Sequence, residues 1–148
     1  MDSVHPLGRL RRAESGEERH VSRGSDTTSF NSIMPVPRVA DMERAFDWYT
    51  RVLGLTLAWR APNDGGGENC MLTSGAISLM LSTGSHLGDT PAFAGTLYFD
   101  TEGVRELYAK VKDAATIVWP LAAMEYGTVE FGIRDPDGYT LAFAETMP

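Results

Sequence analysis

The feature that most constrains this chain is that one order of elements occurs twice along it. FNSIMPVPRV reads as a strand, although Pro35 and Pro37 each lack a ladder donor. DMERAFDWYTRVLG reads as a helix. Asp41 stands at its N-cap, and Glu43 puts a carboxylate in the first turn, where the helix dipole favours it. Met42, Ala45, Phe46, Tyr49, Val52 and Leu53 fall on one face, and Gly54 ends the helix. LTLAWR is the next strand, NDGGG a loop, and ENCMLTS with AISLMLS a hairpin turning at Ser74-Gly75. After a linker, GTLYFD, VRELYAKVKDA, TIVWP and the pair YGTVEFGIRD and YTLAFAE repeat that order, the second hairpin turning across Asp135-Pro136-Asp137-Gly138. A shift of about 62 positions lays Met42 on Val104, Ala45 on Leu107, Phe46 on Tyr108 and Tyr49 on Val111. The expected fold is therefore α+β, with paired βαβββ modules forming a cupped, mostly antiparallel sheet and helices on the outside. Module one covers about residues 30–82, the linker 83–93 and module two about 94–147.

Composition narrows the function classes. A formal net charge of -7 opposes binding to phosphate backbones, so no nucleic-acid partner is expected. No apolar run reaches the ~18 residues that span a bilayer, so no membrane partner is expected either. The single cysteine, Cys70, allows no intrachain disulfide and fits a reducing cytoplasm. Residues 1–28 are rich in Arg, Glu, Ser and Gly and lack an apolar h-region. They read as a disordered tail ahead of a domain at 29–148, not as a secretory signal.

Three stretches carry a family resemblance: Val39-Ala40-Asp41, Trp48-Tyr49 with Leu53-Gly54-Leu55, and Arg134-Asp135-Pro136-Asp137-Gly138-Tyr139. In this order and spacing the chain resembles the vicinal oxygen chelate superfamily, the glyoxalase, bleomycin-resistance and ring-cleaving dioxygenase group, over about Phe30 to Glu145. The resemblance implies modules whose sheets curve around a small-molecule cavity, usually in a homodimer.

The resemblance also says where a metal should sit, on the first and last strands of each module. The first-strand position, seven before Asp41, is Met34, and its repeat partner is Thr96. The last-strand position, four after the hairpin glycine, is Leu79 in module one and Ala142 in module two. A thioether, a hydroxyl, an isobutyl group and a methyl group do not make a hard-metal site. No metal and no other cofactor is therefore expected, and the metal-free, drug-sequestering members become the nearest relatives.

Turn chemistry then assigns the cavity face. A type I turn at Asp-Pro-Asp-Gly with Gly138 in the left-handed region pairs Asp135 with Tyr139, Thr140 with Arg134, Ala142 with Gly132 and Ala144 with Glu130. Phe131, Ile133, Leu141 and Phe143 then lie under the helix, and Thr128, Glu130, Gly132, Thr140 and Ala142 face the cavity. The alternative register would bury Glu130 without a partner. Giving Gly75 the role of Gly138 pairs Met71 with Ile77. Met71, Ile77 and Leu79 then join Met34 and Val36 on an apolar wall, with Thr96 and Tyr98 opposite. Trp59 and Trp119, at corresponding places in edge strands, either pack, bury in a dimer seam or stack a planar ligand. Cys70 falls on the helix side as inert packing.

The expected ligand-binding set is Met34, Val36, Trp59, Met71, Leu79, Thr96, Tyr98, Trp119, Glu130, Thr140 and Ala142. Three functions compete for it. The first is metal-independent binding of a drug-like or aromatic small molecule. The second is a metal-independent lyase or isomerase with Glu130 as catalytic acid/base and Tyr98 as its proton partner. The third is a metal enzyme with relocated ligands such as Glu130, Asp100 and His86.

Overall fold

A computed structural model describes residues 32–63, 66–88, 90–93 and 95–148. The tail expected at 1–28 lies outside them. Among the described residues the chain forms two helices and seven strands in two sheets. In module one, helix α1 (Met42–Arg51) precedes β1 (Thr56–Pro62), β2 (Glu68–Ser74) and β3 (Ile77–Ser82), which pair in the order β1-β2-β3. A short 3-10 turn at Ser85–Leu87 leads on to β4 (Thr96–Asp100), α2 (Val104–Val111), β5 (Thr116–Ala123), β6 (Thr128–Arg134) and β7 (Thr140–Thr146). The second sheet runs β4-β7-β6-β5, with β4 parallel to β7 and the other pairs antiparallel.

Helix α1 forms as its sequence dictates. The Asp41 side chain accepts the Arg44 amide at 2.9 Å, and Met42, Ala45 and Tyr49 are buried. Gly54, at φ 74°, closes the C-terminus and lets the Leu55 amide donate to the Tyr49 carbonyl at 3.0 Å. Helix α2 has Gly103 at its N-cap position, which offers no capping side chain. Instead the Glu145 carboxylate, on β7, accepts the Val104 amide at 3.0 Å. One apolar core joins the buried faces of both helices to Cys70, Leu72, Leu79 and Leu81 of module one and Phe131, Ile133, Leu141 and Phe143 of module two.

The first expected strand does not form a full ladder. Residues 35–39 run parallel beside β3: Met80 N–H donates to the Pro35 carbonyl, Ser82 N–H to that of Pro37, and Val39 N–H to that of Ser82. A parallel ladder would next need an N–H from residue 37 to the Met80 carbonyl, and proline has none. Only Arg38 opposite Ser82 completes a bridge. This extended segment still takes the place that β4 takes beside β7.

The second hairpin has the expected register, with Arg134 opposite Thr140, Gly132 opposite Ala142 and Glu130 opposite Ala144. The first does not. Ser74 pairs with Ile77, so the turn holds only Gly75 and Ala76, and Met71 pairs with Met80 instead of Ile77. The shift is three positions. Because strand faces alternate, an odd shift exchanges the faces of β3. Leu79 is thus corrected from the cavity wall to the core, where it is buried opposite Leu72, and Ile77 shares its face. Met71 still lies on the face away from the helices, because its neighbours on β2, Cys70 and Leu72, are both buried in the core.

The Asp135–Tyr139 turn ties the modules together. Asp135 is buried and its carboxylate accepts the amides of Asp137 (2.9 Å) and Tyr139 (2.8 Å) and the Tyr49 hydroxyl of α1 (2.7 Å). Asp137 Oδ1 accepts the Ala40 amide at 2.8 Å, and the Tyr139 hydroxyl donates to the Arg38 carbonyl at 2.6 Å. Burial pushes the Asp135 pKa up, against the pull of these bonds, and the Tyr49 phenol is raised well above its usual value by burial and then by the neighbouring charge.

Candidate functional site

The register puts two equivalent rows on the faces turned away from the helices. In module one the row is Val36, Met80, Met71 and Trp59. In module two it is Tyr98, Ala142, Gly132 and Trp119. Each tryptophan follows a register break, after Leu57 in β1 and after Ile117 in β5. The duplication therefore extends to the β-bulges, which re-aim a side chain at the edge of a sheet. One row is apolar and carries two thioethers, whereas the other has small residues between a phenol and an indole.

The tryptophans are not used alike. Trp119 lies over Gly132 so closely that a Cβ built there would be 2.4 Å from two of its ring carbons. Its indole Nε1 is buried without an acceptor among the described residues. Trp59 is 44% exposed on the edge strand β1. Of the two, Trp119 packs, and Trp59 remains available at a surface.

Beside the module-two row lies Glu130, only 2% exposed. Tyr126 donates to its Oε1 at 2.9 Å and Thr128 to its Oε2 at 3.1 Å, and the Tyr98 phenol is also hydrogen-bonded to it. Burial is the main cause that raises both phenols, with the Glu130 carboxylate second. Tyr126 is pushed up to about 12. Both phenols therefore stay protonated near neutral pH and act as donors. The arrangement is a buried carboxylate roofed by hydroxyls. It can accept from a ligand donor, or pass a proton through a phenol.

Tyr126 was missed by sequence reasoning. It lies in the turn between β5 and β6, which closes through Gly127 N–H to the Met124 carbonyl (3.1 Å) and Met124 N–H to the Thr128 carbonyl (2.7 Å), with Gly127 at φ 93°. The glycine was a visible turn signal; the tyrosine's direction over Glu130 was not.

The sequence-derived set divides as follows. Tyr98, Ala142 and Trp119 share the module-two row, Glu130 lies on the neighbouring row, and Thr96 pairs with Thr140. Met71 and Trp59 belong to the other sheet. Met34 and Val36 line a cavity of about 440 Å³ with Leu87, Phe93, Leu97 and Tyr139. The strand position equivalent to Ala142 is Met80, not Leu79, since both lie on the row that ends in a tryptophan. The four positions expected to ligate a metal thus carry Met34, Met80, Thr96 and Ala142. This donor set does not fit a hard divalent ion. Among the described residues no three His, Cys, Asp or Glu side chains gather where they could hold one.

Comparison with known proteins agrees with this architecture. The profile of the Glyoxalase/Bleomycin resistance protein/Dioxygenase superfamily matches residues 31–143. TioX from Micromonospora sp. ML1 is similar in structure, with a TM-score of 0.65 and 24% identity over 80% of this chain and 100% of that one. A superfamily member from Sphaerobacter thermophilus DSM 20745 gives a TM-score of 0.66 at 21% identity, over 79% of this chain and 98% of that one. The trypanothione-dependent glyoxalase I of Leishmania major gives 0.62 at 21% identity, over 79% and 87%. A search of curated proteins finds no match.

Proposed function

Because this chain belongs to the Glyoxalase/Bleomycin resistance protein/Dioxygenase superfamily, we propose that it is a metal-independent binding protein for a small aromatic or amphipathic molecule. The observation that carries this reading is the buried Glu130 carboxylate, roofed by Tyr126 and Thr128 and standing beside a ligand position, Ala142, that holds only a methyl group. The apolar surface of such a site holds the ligand body, and its few polar groups orient it. The preferred ligand carries a hydrogen-bond donor or a cation next to its aromatic part, to join the hydroxyls on Glu130.

A homodimer completes the site in this reading. The edge strands β1 and β5 expose Leu57 (43%), Trp59 (44%) and Val118 (40%), and unpaired edges of this kind call for cover.

The phenol–carboxylate contact favours one other function, a metal-independent lyase or isomerase in which Glu130 takes a proton and Tyr98 returns it.

Three measurements test these readings. Elemental analysis of the purified protein should find no stoichiometric transition metal; about one per chain, with turnover that a chelator abolishes, overturns the proposal. Among compounds selected by calorimetric screening of aromatic amines, Glu130→Gln should weaken binding by about 1.5–3 kcal/mol. Unchanged binding removes Glu130 from the site. Turnover of α-hydroxycarbonyl substrates, lost in the same variant, would favour the enzyme.

A further inference from the structure

The seam between the modules contains a cavity unrelated to Glu130. It holds about 440 Å³ between the extended segment at residues 33–38, the linker residues Leu87, Ala92 and Phe93, Leu97 of β4, and Tyr139. Its lining is apolar except at Arg38 and the Tyr139 hydroxyl, which is spent on the Arg38 carbonyl. Its mouth is apolar as well, with Ile33 93% and Phe93 52% exposed. A volume of this size suits a small organic molecule.

Arg38 is the informative member. Among the described residues its guanidinium makes one long contact, Nη1 to the Val39 carbonyl at 3.5 Å, and its Nε is buried with no acceptor. Asp137, on the hairpin, uses Oδ1 for the Ala40 amide and Arg44, and its Oδ2 is buried with no hydrogen-bond partner among the described residues, so it makes no ion pair with Arg38. In a chain of net charge -7, a guanidinium with no carboxylate partner among the described residues is out of keeping with its surroundings. A planar fork whose Nε–H lacks an acceptor is the geometry that a carboxylate satisfies with two parallel bonds.

We propose that this seam cavity is a second ligand site, taking a small apolar monocarboxylate. Its hydrocarbon body lies against Val36, Leu87, Phe93 and Leu97, and its carboxylate lies on Arg38. The guanidinium is the selecting group, since the apolar lining alone accepts a neutral molecule of the same shape.

Octanoate is the probe, titrated calorimetrically into the full chain, with 1-octanol as its neutral counterpart. Octanoate should bind the unaltered protein at least roughly tenfold more tightly than 1-octanol does. Arg38→Gln should abolish that preference, reducing octanoate affinity at least roughly tenfold and leaving 1-octanol unchanged. It preserves the backbone bonds of residue 38. Arg105→Gln, the same charge change on the exposed side of α2, should leave octanoate binding as it was. Ala92→Trp, from an exposed linker position, should fill the cavity and block both compounds. Octanoate binding that ignores Arg38→Gln, falls equally with Arg105→Gln, or survives Ala92→Trp overturns the proposal. So does the absence of binding at millimolar octanoate, or protection of Ile33 and Phe93 by self-association, which would give this face to a second copy of the chain.

Discussion

Gly132→Ala tests the packing of the module-two row most directly. Gly132 is not at positive φ, so alanine fits the backbone, and the added methyl removes some unfolded-chain entropy, a gain of about 0.4–1 kcal/mol. Against this, the new Cβ would lie 2.4 Å from Cε3 and Cζ3 of Trp119 and 2.6 Å from Cδ2. The indole must move, and overpacking of this kind costs about 1–3 kcal/mol. The unpaired Nε1 makes water a less costly destination for the ring. A net loss of about 1–2 kcal/mol follows, or roughly 2–8 °C in Tm for a chain of this size. The assay is a double-mutant cycle by urea denaturation and thermal circular dichroism. With Trp119→Ala in the background, Gly132→Ala should become neutral or slightly stabilising. Equal destabilisation in both backgrounds, or no loss with Trp119 present, refutes the packing argument.

Three further outcomes are expected. Tyr49→Phe removes a 2.7 Å bond to the buried Asp135 carboxylate and should cost about 1.5–3 kcal/mol in urea denaturation; a loss near zero would mean that the clamp between the modules is not a source of stability. Burial raises the Asp135 pKa, so its contribution is fully present below the unfolded value of about 3.9 and is lost as pH rises through the folded value. Wild-type stability should therefore fall relative to Asp135→Asn as pH climbs from about 4, and a difference that is flat with pH would show that the bonds from Tyr49, Asp137 and Tyr139 cancel burial. Sedimentation at micromolar concentration should give a dimer, whereas Trp59→Lys, on the exposed edge strand, should give a monomer; a monomeric wild type counts against the edge-strand interface.

Much of the architecture was legible because its causes are local. Asp41, the apolar face from Met42 to Leu53 and Gly54 specify α1 within one short stretch. Asp-Pro-Asp-Gly sets the β6–β7 register through proline's fixed φ and glycine's freedom at φ 89°, so the pairing of Glu130 with Ala144 followed from sequence alone. The same reasoning failed at Ser74-Gly75-Ala76, where one glycine is compatible with more than one turn length. The choice fell to burial: the observed register places Leu79 and Leu81 in the core beside Leu72 and Cys70.

What the sequence determined, then, was the duplicated βαβββ order, both helices, the second hairpin and the lack of metal-type donors at Met34, Thr96 and Ala142. The tertiary structure alone decided the rest, because each part rests on atoms far apart in the chain. Pro37 interrupts a ladder only because β3 lies beside it. Asp135 binds Tyr49 across 86 positions. Trp119 rests on Gly132 through a bulge that no local signal announces. Arg38 shares a cavity with Leu97 and Phe93 only where the two modules meet, since contacts across a seam follow from how faces pack and not from the order of residues along either one.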